Sequence, residues 1–449
     1  MLYRYSVENF RSFKQRAELS MFPFATEGVE GKDLNDNGTK VRILNAAVIF
    51  GANAAGKSNF MKSIAFARAL ILDNSKMNTV QNPCYKLDDE SVHQPTTFNF
   101  EFLVNDNLYQ YGFSILFSKN RILEEWFYEL QSDSKLFMRI FNPETSLYEI
   151  TYDADKLDSN ENNRMSVYLE DIQQNYQRLL LSELAGKKLS GAFLWTAVRE
   201  AYDWLKDMQI LFPGSSFNLL AQVALDEARI NEIYKEYFRL FDIHIDSIHL
   251  NSVPLEMLHL DVDIVEEMKQ KLNEVPSEKN SLLMANLRGH EYMIDMNEEG
   301  DLVAKEVKFR HLKVDGQSTC DFDKSAESDG TKRLFDLIPA LARVITSDHV
   351  FFIDEIDRSL HSLLTHHLMK LFKNRASHRS QLICTTHEQL LLDSTLFRPD
   401  ELWLVDFERK TSQSILLSLA QYKVRFLENI EKNYLMGRYN GIPQFGRSM

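Results

Sequence analysis

Residues 41–70 read VRILNAAVIFGANAAGKSNFMKSIAFARAL, and this stretch decides the fold of the chain. Its first ten residues form a nearly continuous apolar run, which is typical of a strand buried in a parallel or mixed sheet. Glycine follows at once, and from Phe60 onward apolar residues recur with the period of a helix. The segment therefore predicts a strand, a loop of small residues and a helix.

The loop at 51–58, GANAAGKS, matches the phosphate-binding pattern GxxxxGK[ST]. In such a loop, successive backbone N–H groups point at a phosphate, the lysine neutralises its charge, and the hydroxyl reaches Mg²⁺. We therefore predict a site for ATP and Mg²⁺, with Lys57 and Ser58 in the last two roles. The predicted nucleotide-binding residues here are Gly51, Asn53, Ala54, Ala55, Gly56, Lys57, Ser58 and Asn59.

A second candidate motif is the apolar run at 350–353, which Asp354 and Glu355 follow directly. Ligands of α/β sheets bind at the carboxyl ends of the strands. Asp354 is predicted to hold Mg²⁺ together with Ser58, and Glu355 to take the proton from the attacking water. Alone, an apolar strand followed by two acids is often only a solvated strand end. The phosphate-binding loop makes the catalytic interpretation the stronger one.

The rest of the chain divides by its periodicity into three regions. Residues 96–130 alternate apolar and polar around a turn at 105–107, which predicts an antiparallel meander. Long helical patterns fill 155–275, and helices then alternate with strands after about residue 330. We therefore expect an α/β fold with 1–150 and 281–449 forming one nucleotide-binding unit and 151–280 a helical insertion.

Composition narrows the classes of function. The chain of 449 residues has 51 basic and 65 acidic side chains, a formal charge of −14 that would repel a nucleic-acid backbone over most of the surface. Its three cysteines are far apart, which indicates neither disulfides nor a zinc site. No segment has the pattern of a signal peptide or a membrane span. We expect a soluble, cytoplasmic protein with no membrane partner.

Three motifs carry a resemblance to a known group: VENFRSF at 7–13, GKSN at 56–59 and SAESDGT at 325–331. Together with the acidic motif at 354–355, they resemble the ABC-type ATPases of the SMC, Rad50, RecF and OLD group. The resemblance covers most of the chain outside the helical insertion. It implies an ABC-type ATPase head, a mixed sheet with flanking helices and an antiparallel β-lobe, that closes into an ATP-bound dimer.

The same resemblance implies roles for further residues. In such proteins a signature loop at a helix start grips the γ-phosphate of the opposite subunit's ATP. The matching residues are Ser328, Asp329 and Gly330, with Asp329 standing where a second glycine is usual. His387, after the run at 381–386, matches the switch histidine that senses the γ-phosphate. In the phosphate-binding loop, Ala54 replaces a glycine that is frequent in this group.

Other positions of the resemblance remain open. Asp357 resembles the residue of the D-loop, which crosses the dimer seam, but it reads equally well as the cap of a helix beginning near Ser359. Arg11 matches a turn near the nucleotide or is a plain surface arginine. Gln81 and Gln94 are candidates for the glutamine of the Q-loop by position only. His361, His366 and His367 share one predicted helix and are expected to be structural rather than metal ligands.

The architecture favours one biological role over another. No coiled coil lies between Ser58 and Ser328, and the 62 residues after His387 are too few for the TOPRIM nuclease domain that OLD-type nucleases append. The chain thus resembles the standalone ATPase subunit (AriA) of PARIS-type antiviral systems. This resemblance implies a phage-encoded trigger, a separate effector protein such as a TOPRIM-type nuclease, and a homodimer or higher oligomer. A RecF-like DNA-repair ATPase that clamps DNA is the alternative.

Overall fold

The computed structural model describes residues 1–24, 42–73, 81–154, 157–187, 193–213, 227–273, 283–287, 290–297, 299–346, 348–377, 379–422, 429–439 and 441. The chain forms two compact units. The first contains Met1–Ile210, Ser347–Ile356 and Arg375–Met449, and the second contains Leu211–Thr346 and Asp357–Asn374. The boundaries expected near residues 150 and 280 stay a prediction.

Strands and helices are numbered in chain order. The strands are β1 (Leu2–Glu8), β2 (Ala17–Ser20), β3 (Ala46–Phe50), β4 (Thr96–Val104), β5 (Asn107–Leu116), β6 (Arg121–Glu129), β7 (Ser134–Asn142), β8 (Leu147–Tyr152), β9 (Gln209–Leu211), β10 (Ser247–Val253), β11 (Leu283–Leu287), β12 (His290–Met296), β13 (Leu302–Leu312), β14 (Thr319–Asp323), β15 (Val350–Ile353), β16 (Gln381–Thr385), β17 (Leu402–Glu408) and β18 (Gln413–Ser418). The helices are α1 (Lys57–Leu72), α2 (Ser159–Ile172), α3 (Leu180–Ala185), α4 (Phe193–Asp207), α5 (Glu227–Leu240), α6 (Val262–Asn273), α7 (Asp329–Thr346), α8 (Ser362–Arg375) and α9 (Ile430–Leu435).

A six-stranded sheet forms the centre of the first unit, in the order β18-β17-β3-β16-β15-β9. Strand β3 is parallel to both of its neighbours, and β15 is parallel to β16. Every residue of β3, β15 and β16 is buried, as expected of apolar runs covered on both faces. Because these strands run the same way, their carboxyl ends meet at one edge, and β16 separates β3 from β15.

The antiparallel β-lobe predicted from the alternation at 96–130 is present and larger than that segment. It is a seven-stranded sheet in the order β2-β1-β4-β5-β6-β7-β8. The predicted turn between β4 and β5 has Asn105 and Asp106 both in the left-handed region, at φ 47° and 68°. Two such residues match the twist of a two-residue hairpin. Tyr5 of this sheet lies against Phe60 of α1 and donates to the Ser63 hydroxyl at 2.8 Å.

A buried ion pair joins the β-lobe to the helical segment that follows it. The Glu125 carboxylate accepts hydrogen bonds from the N–H groups of Leu180 and Leu181 at the start of α3, at 2.6 and 2.9 Å. The Arg139 guanidinium lies 3.6 Å from Glu125 and over the ring of Tyr148. Burial raises the pKa of Glu125, against the lowering effect of Arg139. The pair therefore holds α3 in place through fully desolvated groups.

The second unit is built on an antiparallel sheet, β10-β13-β12-β11, with β14 also paired to β13. The predicted turn near 299–301 is present, with the Gly300 N–H donating to the Asn297 carbonyl at 3.0 Å. Helices α5 and α7 pack together through the rings of Tyr234 and Phe335, which stack 4.7 Å apart. Among the helices described here, none combines the length and apolar character that a bilayer crossing requires.

Candidate nucleotide-binding site

The segment after β3 has the predicted order of strand, loop and helix, with α1 beginning at Lys57. Gly56 precedes the helix at φ 121°, a conformation that residues with a side chain rarely adopt. A Cβ at this position would also overlap the hydroxyl of Ser414, and one at Gly51 would overlap the carbonyl oxygen of Val405. Gly51 is therefore required by the close approach of another backbone, and Gly56 by its own backbone conformation and the nearby Ser414 side chain.

Ala54 keeps the loop's conformation despite replacing a glycine. Its φ is 62°, in the left-handed region, and its side chain is exposed. That conformation costs a residue with a Cβ about 1–2 kcal/mol. The substitution therefore lowers stability slightly and leaves the loop shape intact, which also explains why glycine suits this position.

The Lys57 ammonium lies inside the loop. Its Nζ donates to the carbonyl oxygens of Gly51 at 2.7 Å and Ala52 at 3.2 Å, and the residue is only 5% exposed. A buried ammonium must be hydrogen-bonded or paired with an anion. The loop thus holds a positive charge where its backbone turns, which is the electrostatic requirement of a phosphate site.

The two carboxylates after β15 are positioned by the neighbouring strand β16. Thr385, fully buried at its end, donates from Oγ1 to Asp354 Oδ1 at 2.6 Å. Thr385 Oγ1 also accepts the Glu355 N–H at 2.8 Å, and the Thr385 carbonyl accepts the N–H of Ile356 at 3.0 Å. Glu355 has a left-handed backbone, with φ 51°. One threonine thus fixes the rotamer of the first carboxylate and the backbone of the second.

His387 lies two residues after Thr385, and its side chain is exposed. The preceding residue, Thr386, donates its N–H to the carbonyl of Ile49 in β3 at 3.1 Å, and its hydroxyl accepts the N–H of Glu388 at 2.9 Å. The structure therefore brings the phosphate-binding loop, the two acids and the histidine to the same edge of one sheet, as the motifs predicted.

The turn that contains Arg11 is tied to the same loop. Arg11 has φ 49° and donates its N–H to the Pro83 carbonyl at 2.7 Å, while its exposed guanidinium lies 5.7 Å from the centre of the Phe10 ring. Its neighbour Ser12 accepts a hydrogen bond from the Asn59 amide on α1 at 2.9 Å. The contact with Asn59 agrees with a position near the nucleotide, and the role of Arg11 itself stays a prediction.

In the second unit, the predicted signature residues begin α7. The Ser328 hydroxyl accepts the N–H of Thr331 at 3.1 Å, which is the geometry of a helix N-cap. Asp329 is exposed in the first turn, and a Cβ at Gly330 would approach the Ser359 carbonyl oxygen within 2.8 Å. The segment therefore presents an exposed hydroxyl at a helix start, where anions are favoured.

The alternative to the D-loop interpretation was that Asp357 caps the following helix. The structure does not show this cap. Helix α8 begins at Ser362, and the His361 Nδ1 accepts the N–H of Leu363 at 3.2 Å. The alternative was wrong because the chain makes a further turn first, in which the Asp357 carbonyl accepts the N–H of Leu360. His361 is thus a cap rather than a member of the helix.

Sequence reasoning missed two groups that shape the loop. Ser414, at the start of β18, donates to the carbonyl of Ala55 at 2.5 Å, and its N–H donates to the Ser12 carbonyl at 2.7 Å. Near the C-terminus, the Tyr434 hydroxyl donates to the Gly441 carbonyl at 2.8 Å. Gly441 itself packs on Gly51. No local pattern marks Ser414, whereas the glycines at 437 and 441 are typical of a turn but do not indicate which segment packs against it.

The second unit also contains a cluster of potential metal ligands that no sequence motif indicated. Within the described residues, one ligand atom each of His290, Glu306 and Asp323 lies within 4.8 Å of the others. The Lys308 ammonium, however, contacts both carboxylates, at 2.8 Å to Glu306. The lysine therefore already supplies the positive charge that a metal ion would bring.

One family of known proteins matches most of the chain. A family model described as "AAA domain, putative AbiEii toxin, Type IV TA system" matches residues 46–393. The chain belongs to this family, and its structure has the mixed α/β fold, with a strand, loop and helix at the phosphate-binding pattern, that its motifs predicted. The comparison with curated proteins gives no significant match.

Two solved structures are similar at low identity. One is described as the SMC head domain from Thermotoga maritima, with 12% identity, a TM-score of 0.37, and coverage of 93% of this chain and 98% of that one. The other is described as the SmcHead bound to the C-winged helix domain of ScpA. It has 15% identity, a TM-score of 0.38, and coverage of 94% and 99%.

Proposed function

We propose that the chain is an ATPase that binds Mg²⁺ and ATP and closes into a dimer around two nucleotides. The observation that carries this proposal is the shared edge of the central sheet, where the Lys57 loop follows β3 and Asp354 and Glu355 follow β15, with β16 between them. Thr385 bonds to the carboxylate of Asp354 and to the backbone N–H of Glu355, so the first side chain and the backbone of the second are positioned without any help from a ligand. Such positioning is expected of a site that stabilises charge rather than of a solvated strand end.

The side chains fit the roles that the motifs assign. Lys57 and the loop N–H groups would bind the β- and γ-phosphates. Ser58 and Asp354 are the residues that would hold Mg²⁺, which when bound neutralises phosphate charge. The Glu355 carboxylate would accept a proton from water, and His387 would contact the γ-phosphate region from the adjacent strand end.

The dimer is needed to complete the site. Ser328, Asp329 and Gly330 start a helix with an exposed hydroxyl, so a second copy could place this anion-binding end on the γ-phosphate. We assign Asp357 to the contact between the two copies. Each ATP would thus be held by the loop of one subunit and covered by the other.

The biological role that we propose is a switch and scaffold in antiviral defence. The ATP-bound dimer would hold a separate toxic effector, such as a TOPRIM-type nuclease, until a phage-encoded trigger is sensed in the cytoplasm. The family description, which names a toxin and a type IV toxin-antitoxin system, supports this setting. The net charge of −14 favours it over a RecF-like DNA clamp.

Nucleotide binding and hydrolysis are tested with two variants and a matched control. Lys57→Ala should lose nucleotide binding, because the loop loses its ammonium. Lys62→Ala removes an exposed charge from the same helix and should bind normally. Glu355→Gln should bind ATP, hydrolyse it slowly and remain dimeric by mass photometry. Normal turnover by Glu355→Gln would remove this glutamate from the mechanism.

The defence role requires a separate test in cells. Co-expression with the neighbouring gene, followed by affinity purification with and without ATP, should recover the effector in a nucleotide-dependent complex. Deletion should raise phage sensitivity. ATP-dependent, salt-sensitive binding of duplex DNA without any effector would favour the DNA-repair alternative instead.

A further inference from the structure

A cleft in the first unit, away from the phosphate-binding loop, has the lining of a ligand site. It encloses about 570 Å³, which lies in the range of small-molecule sites. Helix α4 forms one wall, while the ends of β4 and the start of β15 form the other. None of the residues assigned to ATP lines it.

The floor of this cleft is aromatic and apolar. Trp204 lines the cleft and stacks on Phe102, with ring centres 4.2 Å apart and an angle of 6°. Trp195 and Met208 are nearly fully buried beside it and line the same cavity. Such rings attract ammonium and guanidinium groups through their negative faces.

The rim of the cleft carries four carboxylates and one guanidinium. Glu200, Asp203 and Asp207 share one face of α4 because of their spacing of three, four and seven residues. Asp348, just before β15, lines the cleft as well, and among the described lining residues Arg199 is the one arginine or lysine, beside one histidine, His349. The formal charge of the lining is therefore strongly negative.

Neighbouring groups hold part of this rim in place. The Glu200 carboxylate accepts hydrogen bonds from Asn105 at 3.0 Å, Asn107 at 3.3 Å and the Tyr109 hydroxyl at 2.7 Å. Asp348 accepts one from Ser377 at 2.6 Å. These two acids are thus oriented before any ligand arrives, which lowers the entropic cost of binding.

Asp203 and Asp207 are exposed and lie one helical turn apart. Partial burial raises the pKa of Asp203, and the like charge of Asp207 adds to the rise, against the lowering effects of Lys206 and Arg199. A like-charge pair at this spacing destabilises a helix. The nearby Arg68 guanidinium donates to the backbone carbonyls of residues 205 and 206 at the end of α4, so its hydrogen bonds go to backbone groups there. A bound cation would relieve the repulsion.

From the cavity, its tryptophan floor and its negative rim, we propose that this cleft binds an elongated organic cation carrying ammonium or guanidinium groups. The carboxylates from Glu200 to Asp207 extend roughly 10 Å along the helix, which suits two or more linked charges better than one. This chemistry is found both in a free polyamine and in the basic side chains of a partner protein. The proposal does not depend on ATP binding.

The test uses the full chain without nucleotide and two probes, spermidine and an acetylated Arg-Gly-Arg amide. Binding is followed by calorimetry and by the fluorescence of the tryptophans. At least one probe should bind, with an affinity that falls as salt is raised. The tighter probe identifies the source of the cation. The neutral 1,8-octanediol should not bind.

Matched variants decide whether the cleft is responsible. Asp203→Asn/Asp207→Asn should weaken binding at least tenfold, while Glu256→Gln/Glu299→Gln, which removes two exposed charges from the second unit, should not. Trp204→Phe should keep binding and lose most of the fluorescence change. The proposal is overturned if neither probe binds, if octanediol binds equally, or if the two double variants bind alike. Lys57→Ala should leave all these values unchanged, which separates this site from the ATP site.

Discussion

Replacing Thr385 by valine tests the arrangement of the candidate site most directly. Valine keeps the volume and branching of threonine and removes only the hydroxyl. That hydroxyl makes a buried hydrogen bond to the Asp354 carboxylate at 2.6 Å and accepts a partly buried one from the Glu355 N–H at 2.8 Å. A hydrogen bond to a charged group contributes about 1.5–3 kcal/mol, and leaving a buried N–H unsatisfied costs about 1–3 kcal/mol.

Since Asp354 is only 2% exposed, water cannot readily replace the missing donor. We therefore expect Thr385→Val to lose about 3 kcal/mol in the free energy of unfolding. Hydrolysis should fall by roughly 10- to 100-fold, because both acids lose their support and about 1.4 kcal/mol corresponds to a factor of ten. A higher Mg²⁺ requirement should accompany the loss, as Asp354 is the predicted ligand.

Urea unfolding and ATP turnover at several Mg²⁺ concentrations measure these effects. Thr385→Ser is the control, since it restores the hydroxyl and loses only a methyl group. It should recover most of the turnover and the normal Mg²⁺ dependence. The positioning role would be refuted if valine left the Mg²⁺ dependence unchanged, or if serine and valine reduced turnover equally.

Three further predictions concern the loop and its surroundings. Ala54→Gly should raise the free energy of unfolding by about 0.5–1 kcal/mol, because the strain of about 1–2 kcal/mol that glycine removes exceeds the roughly 0.5–1 kcal/mol that its freedom adds to the unfolded state; a lower free energy of unfolding in urea would contradict this. Gly56→Ala should abolish nucleotide binding measured with a fluorescent ATP analogue, since the new Cβ would overlap Ser414; normal affinity would show that the loop can adjust. The hydrogen bond from Lys14 lowers the pKa of Asp88 to about 2, so its contribution to stability is present above the unfolded pKa near 4 and is lost as pH falls toward 2. An NMR titration midpoint near 4 for this carboxyl would be the contrary result.

The sequence predicted those features that depend on local pattern. The run before Gly51 gave the buried strand β3, although the regular strand is confined to Ala46–Phe50. The loop between β3 and α1, the strand end before the two acids and the β-lobe hairpin also lie where the sequence placed them, because each is written in consecutive residues, while the binding roles of the loop and the acids stay predictions. Such patterns require no knowledge of distant neighbours.

The remaining features depend on which distant segments meet. Thr385 is one of two adjacent threonines, and only the pairing of β16 with both β3 and β15 shows which one bonds to the acids. Ser414 looks like any serine at a strand start until the approach of Gly56 is seen. The helix after Asp357 was expected too early because its cap is His361, a residue type that sequence rules do not favour.

The position of β3 between β16 and β17 has a consequence for synthesis on the ribosome. The loop that follows β3 is translated early, but both flanking strands lie more than 300 residues later. At 5–20 residues per second, roughly 20–70 s separate Ser58 from Ser414. During that interval the nascent chain carries an unpaired apolar strand and a phosphate loop without its supporting serine. Chaperone contact with the nascent chain should therefore concentrate on the residues around 46–50.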